Sequence, residues 1–208
     1  MCDTFAIGSA CTSGGISIFG KNSDREPDEA QIVVSLPGKD YPQGQTLRCT
    51  YIEIPQARIT HAVVLSKPFW IWGAEMGVNE KGVVIGNEAL FTKVKPEKTP
   101  GLIGMDLLRL GLERADTAEG AARIIIELLQ RHGQAGPCGY LDKKLQYMNS
   151  YIMMDSREII VLETIGRDYA LKHCTDYASI TNGITLASVW DESSFARGTD
   201  IGRLGNSL

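Results

Sequence analysis

The sequence predicts an α+β fold in which packed sheets carry helices on their outer faces. Three observations lead there. Short strand-like runs separated by turn residues fill roughly the first hundred positions, helical periodicity occupies 103–132, and strand-like runs then return. Strands, then helices, then strands is the order of a layered α+β arrangement and not of alternating βαβ units. Two packed sheets account for so many short apolar strands.

The runs at 4–9 and 16–22 flank Thr12-Ser13-Gly14-Gly15, a turn cluster, and predict a hairpin. The run at 31–36 ends at Pro37-Gly38. Over 47–53, Leu47, Cys49 and Tyr51 alternate with Arg48, Thr50 and Ile52, which predicts one half-buried strand. Further strands are expected at 61–66, 70–74 and 82–88. Ile103, Leu107, Leu110 and Arg114 then share a helical face that Leu108 and Leu112 widen. A second helix is expected to start at Asp116, with Glu119 completing a capping box. It runs through Ile124, Ile125, Leu128 and Leu129 to Arg131 and His132, and Gly133 stops it. A loop at 134–147 carries Gly136-Pro137, and strands follow at 150–154, 159–163, 169–173 and 178–181. No internal repeat or linker divides the chain, so 1–208 is read as one domain.

A net charge of -4 and a pI near 5.4 argue against non-specific binding to nucleic acid or an anionic membrane. No apolar run reaches the length of a transmembrane helix. The opening Met-Cys-Asp-Thr-Phe lacks a basic stretch followed by an apolar one, so the cytoplasm is the expected compartment. The five cysteines, Cys2, Cys11, Cys49, Cys138 and Cys174, are odd in number and form no CxxC pair, unlike a disulfide framework or a structural zinc site. No metal-ligand spacing or phosphate-cradling loop occurs, so no cofactor is expected.

Cys2 stands apart by position. A thiol needs a base near neutral pH, and His61, His132 and His173 fall in no Cys-His protease pattern. Removal of Met1 would put an α-amine on the same residue as the thiol, uniting nucleophile and base. Phe19-Gly20-Lys21-Asn22-Ser23-Asp24-Arg25 ends the second strand of the expected hairpin and returns beside the terminus. It supplies a carboxylate for the ammonium and a cation for the thiolate. Gly86-Asn87-Glu88 ends another strand, where an amide side chain can donate to an oxyanion. Thr181-Asn182-Gly183 repeats that arrangement.

These segments resemble the dipeptidase and secernin family of N-terminal-nucleophile hydrolases. Trp72-Gly73-Ala74-Glu75-Met76-Gly77-Val78-Asn79-Glu80-Lys81-Gly82, continuing to Glu88, is similar to a block of that family, as are Met105 to Arg114 and Leu162 to Arg167. The resemblance runs from residue 2 to about Asp191 and implies a four-layer αββα sandwich that hydrolyses amides, typically dipeptides. Bile salt hydrolases and penicillin V acylases are more distant members of the same group. By motif, Cys2 is the nucleophile and Asp24 orients its amine. Lys21 stands where the acylases have an arginine, keeping the charge but losing the planar fork. Asn87 and Asn182 match positions that bind the oxyanion and position the amine, and Asn149 is a candidate for the pocket wall. Trp70, Trp72, Phe91 and the loop at 134–147 are candidates to line the pocket, Trp72 foremost for substrate, with core packing the alternative for the tryptophans. The expected partner is a small peptide or amide substrate. A non-catalytic secernin-like role and an acylase for non-peptide amides are the alternatives. The pattern fades after Trp190-Asp191, before the glycine-rich tail at 198–208. Dipeptidases of this family are commonly much longer, so the chain reads as the N-terminal part of a longer protein or a truncated product.

Overall fold

The computed structural model describes residues 1–205. Its first ten strands are β1 (Asp3–Ile7), β2 (Ile18–Asn22), β3 (Gln31–Leu36), β4 (Lys39–Asp40), β5 (Thr46–Arg48), β6 (Glu53–Pro55), β7 (Ile59–Thr60), β8 (Val63–Pro68), β9 (Met76–Asn79) and β10 (Val84–Leu90). Helices α1 (Gly104–Arg114) and α2 (Ala118–His132) follow. The chain then adds β11 (Met148–Met154), β12 (Ile159–Ile165), β13 (Asp168–Cys174), β14 (Tyr177–Ile180) and β15 (Glu192–Ser193). An antiparallel sheet runs in the order β15-β13-β12-β11-β10-β9-β8-β3, and a smaller one in the order β14-β1-β2.

Strand β11 shows why the layers stack. All its residues are buried, Tyr151 and Met153 in the core shared with the helices, Ile152 and Met154 in the core shared with the small sheet. Strand β12 divides the same way, with Ile160 and Leu162 on one side and Ile159, Val161 and Ile165 on the other. Apolar side chains on both faces are what a strand buried between two layers requires. The result is helices, large sheet and small sheet. Among the described residues both α-helices pack on the large sheet, and Phe5 and Tyr177 of the small sheet remain exposed. Three of the four expected layers are therefore present.

The helices are placed by side chains as well as by their apolar faces. Asn79 on β9 donates its Nδ2 to the carbonyls of Leu112 and Ala115, at 2.9 and 2.8 Å. It thereby satisfies acceptors that the end of α1 leaves open. Helix α2 starts one residue later than expected. Thr117 is its N-cap, its hydroxyl accepting the Gly120 N–H at 3.0 Å. Asp116 instead faces His61, and Glu119 pairs with Arg123 without reaching back. Gly133 ends the helix at φ 70°, a conformation that glycine adopts without strain.

Two expected strands are corrected. The run at 47–53 is a hairpin, β5 and β6, closed by a hydrogen bond from Cys49 N to Ile52 O at 2.9 Å. Of the alternating residues only Leu47 and Arg48 lie in an arm, and Cys49 to Ile52 make the turn. Residues 70–74 form no strand because their donors go elsewhere, Trp72 N to Thr50 Oγ1 and Ala74 N to Met105 O. The glycine-rich tail is built in as far as Gly205, with Ile201 fully buried, and 206–208 lie outside the described residues. No described helix is long and apolar enough to cross a membrane.

Thr117→Ala is expected to lower stability in urea melts by about 1 kcal/mol. Glu119→Ala, which removes only partly exposed pairs to Arg123 and His173, should stay within about 0.5 kcal/mol.

Candidate active site

The small sheet brings the ends of distant segments to the start of the chain. Strand β1 lies between β14 and β2, with Thr4 opposite Ile180 on one side and Lys21 on the other. Asn182 therefore emerges just beyond β14, and Asp24 just beyond β2, both beside Cys2. The backbone N–H of Cys2 donates to Asn182 Oδ1 at 2.8 Å, and Asn182 Nδ2 is held by Ala89 O at 2.9 Å. The Asp24 N–H points at the Cys2 Sγ from 3.2 Å, and the Met1 ammonium is paired with the Asp24 carboxylate.

Cys2 is half-buried and lines a cleft of about 220 Å³. Lys21, Asp24, Asn87 and Asn182 line the cleft with it, so all five expected catalytic residues converge. Burial pushes the thiol above its ordinary value, against the Asp24 N–H and the charge of Lys21, which lower it. The hydrogen bond from the Met1 ammonium holds Asp24 below the usual carboxylate range.

Lys21 is fully buried and bound at 2.9 Å to Glu88, which also accepts the Thr4 hydroxyl. Burial raises the Glu88 carboxyl, against the pull of Lys21. The next charge along, Arg25, makes a fork with Glu29, both bonds at 2.8 Å, and reaches Glu75 at 2.7 Å and Cys138 O at 2.6 Å. Glu26 accepts the backbone N–H groups of Leu141 and Asp142. These bonds fasten the 134–147 loop, which contributes Gly139, Leu145 and Tyr147 to the cleft wall. Phe91 lines it too, as expected.

Asn149 lies one layer behind the wall. Its Oδ1 accepts from Asn87 Nδ2 at 3.0 Å, and its own amide donates to Gln134 Oε1 at 3.0 Å. Gln134 in turn donates to Gly166 O at 2.9 Å. A backbone carbonyl can only accept, so this chain fixes the direction of every amide in it. One hydrogen of Asn87 is thus committed inward, while the other meets only Met105 Sδ at 3.6 Å. Trp72 is corrected: it does not line the cleft but packs on the core, its ring 4.0 Å beneath the Arg109 guanidinium. Trp70 sits behind the cleft wall and donates to Glu29. None of the histidines lines the cleft.

Arg25, Glu75 and Glu88 lie in the segments that carry the resemblance, and spacing alone assigns them no role. The signal was available for Glu88, a charge inside the apolar run Val83-Val84-Ile85 to Ala89-Leu90. Buried charges demand partners. Nothing in the spacing announced the amide chain through Gln134.

The fold has solved counterparts. Two altered forms of conjugated bile acid hydrolase from Clostridium perfringens superpose with a TM-score of 0.57, at 17% and 18% identity. The match covers 98% and 97% of this chain but 66% and 65% of theirs, so the chain spans just under two-thirds of their length. Penicillin V acylase from Agrobacterium tumefaciens aligns over 88% of this chain and 52% of its own, at 15% identity and a TM-score of 0.46. No family model matches the sequence. At these identities the likeness to the bile acid hydrolase is one of fold alone.

With Met1 in place, alkylation at pH 7 should label exposed Cys11 first and Cys2 slowly. Cys49 and Cys138, pushed to about 12 by burial, should stay unlabelled. Excision of Met1 places an ammonium beside the thiol, and the Cys2 rate is expected to rise at lower pH. Peptide mass spectrometry across a pH series reads both effects.

Proposed function

We propose that the chain hydrolyses small amides, dipeptides foremost, through a thioester on Cys2 formed after Met1 has left. The observation that carries this reading is the bracketing of the Cys2 nitrogen. Asn182 Oδ1 holds it at 2.8 Å, and the carboxylate of Asp24 is already engaged with an ammonium one residue away. While Met1 is attached, that nitrogen is an amide and takes no proton. Once freed, it becomes an amine in a site equipped to orient it.

The amine removes the thiol proton, directly or through a water, and Sγ attacks the substrate carbonyl carbon. The C–S bond forms and the carbonyl π electrons move onto oxygen. Asn87 offers its second hydrogen there, exchanging a weak contact with Met105 Sδ for one with the oxyanion. Collapse breaks the C–N bond, and the leaving amine takes the proton held on the Cys2 ammonium. Water then attacks the thioester, gives a proton back to the amine side, and releases the acid and the thiol. Lys21 favours the thiolate, while Glu88 holds its ammonium in place.

Charge supports a substrate with a free amine. Asp24, Glu26, Glu29, Glu75 and Glu88 line the cleft, against Lys21, Arg25 and the chain's own terminal ammonium. That imbalance attracts a cationic end and repels an anionic one. A cytoplasmic dipeptidase fits it, and an acylase for neutral amides would gain nothing from it. The second reading is a non-catalytic, secernin-like protein, favoured by the Met1 ammonium resting on Asp24, an arrangement that blocks the amine.

Dipeptide hydrolysis by the Met1-free chain is expected to disappear in Cys2→Ala. Asn87→Ala should lower kcat by about 100- to 1,000-fold. N-acetylation of the substrate should lower kcat/KM by about tenfold, equivalent to one weak charge contact. Activity that survives Cys2→Ala sinks the mechanism, and a chain that always retains Met1 and hydrolyses nothing favours the non-catalytic reading.

A further inference from the structure

One buried polar row crosses the largely apolar interface between the two sheets. Glu88 on β10, Ser150 on β11 and Glu163 on β12 stand at adjacent register positions, Glu88 opposite Ser150 and Ser150 opposite Glu163. Side chains so placed point to one face of the sheet, about 5 Å apart at Cβ. That face is the one toward the small sheet, where Ile152 and Val161 also point. One end of the row serves the thiol's surroundings, because Glu88 binds Lys21 and Thr4.

The other end has no part in the steps above. Glu163 is 0% exposed, and burying a carboxyl group is costly unless its oxygens are bonded. Its Oε1 accepts the Thr185 N–H at 2.5 Å, and its Oε2 accepts the Leu186 N–H at 3.2 Å. No ion pair to Glu163 occurs among the described residues. Both donors belong to the loop that begins at Asn182, which leaves β14 through Asn182-Gly183 without strand pairing. Asn182 must point two ways, to Cys2 N and to Ala89 O, and that demands a backbone that does not drift.

We propose that Glu163 is a positioning residue for the Cys2 site, fixing Asn182 by gripping the backbone three and four residues beyond it. The inference rests on the reading of Cys2 as the nucleophile. The grip is complete when both oxygens are free to accept, so it depends on ionisation. A proton on the carboxyl occupies one oxygen and leaves one N–H without its acceptor. Burial pushes Glu163 up to about 7, against the two backbone donors. The groups facing it carry no charge: Ser150 from β11, Ala170 from β13, and Ala178 and Ile180 from the small sheet. Along the row the ionisable neighbours are Glu88 and its partner Lys21. Lowering the pH through neutrality should therefore loosen the Asn182 loop.

The test combines nuclear magnetic resonance with kinetics on the Met1-free chain and on Glu163→Gln, which keeps the shape and removes the titration. The Thr185 and Leu186 amide signals should titrate together with a midpoint near 7 in the native chain and lose that titration in Glu163→Gln. For Cys2 acylation by an activated ester of an amino acid, kcat should fall about 10- to 100-fold in the variant at unchanged KM. The acid limb of the native pH profile should share the amide midpoint, which a merely structural role would not produce. Amides that do not titrate, a titration that persists in Glu163→Gln, or an unchanged kcat would each overturn the proposal. If the native chain takes no acyl group on Cys2, the hydrolase reading fails by itself, and the amide titration alone decides whether Glu163 grips the loop. The native-chain titration also decides it should Glu163→Gln not fold.

Discussion

The hydrogen bond from Cys2 N to Asn182 Oδ1 joins residues 180 apart in sequence, and the site depends on it. The bond exists because β1 is the middle strand of the small sheet. Its two edges are occupied by β2 and β14, which fixes the path of the chain from Asp3 onward. A chain terminus is ordinarily among the least ordered parts of a protein. Here pairing on both sides leaves Cys2 one position, with Asp24 and Asn182 delivered to it by the ends of the flanking strands. The large sheet completes the arrangement from beneath, since Asn87 and Glu88 lie on β10 where it passes under β1.

The second constraint is electrostatic. Lys21 and Glu88 are both buried, and Arg25 divides its guanidinium between Glu29, Glu75 and a carbonyl. Such pairs contribute little net stability, because desolvation offsets their attraction, but removing one partner costs about 3–5 kcal/mol. They act here as fasteners. Arg25 and Glu26 tie the 134–147 loop to the segment that carries Asp24, and the amide chain from Asn87 to Gly166 runs behind the same wall. The cleft is shaped by interactions that leave few alternative arrangements.

Much of this was legible in the sequence where local chemistry and packing agree. The hairpin of β1 and β2, the stop of α2 at Gly133 and the fully buried β11 and β12 follow from turn residues and hydrophobic runs. The convergence of Asp24 and Asn182 on Cys2 is instead what the family resemblance implies; spacing alone reads Asn182-Gly183 as a turn. The failures share a cause in tertiary contacts. The 46–55 hairpin imitates one strand because the alternation that begins in β5 continues by residue type through the turn at 49–52. Residues 70–74 look strand-like, but Thr50 and Met105 capture their backbone donors. Trp72 was a pocket candidate by type alone, and stacking under Arg109 removes it from the cleft. Asn149, expected in the pocket wall, lies behind it, because a bond between two buried amides leaves no mark on spacing.

The account's central claim is that the sulfur of an N-terminal Cys2 carries the acyl group. Rapid acid quenching of the Met1-free chain turning over an amino-acid ester or dipeptide, followed by proteolysis and mass spectrometry, examines this directly. The account predicts a substrate-derived acyl group on a peptide that begins at Cys2, lost on treatment with hydroxylamine. An acyl group on any other cysteine, or a reacting peptide that still begins with Met1, would contradict it.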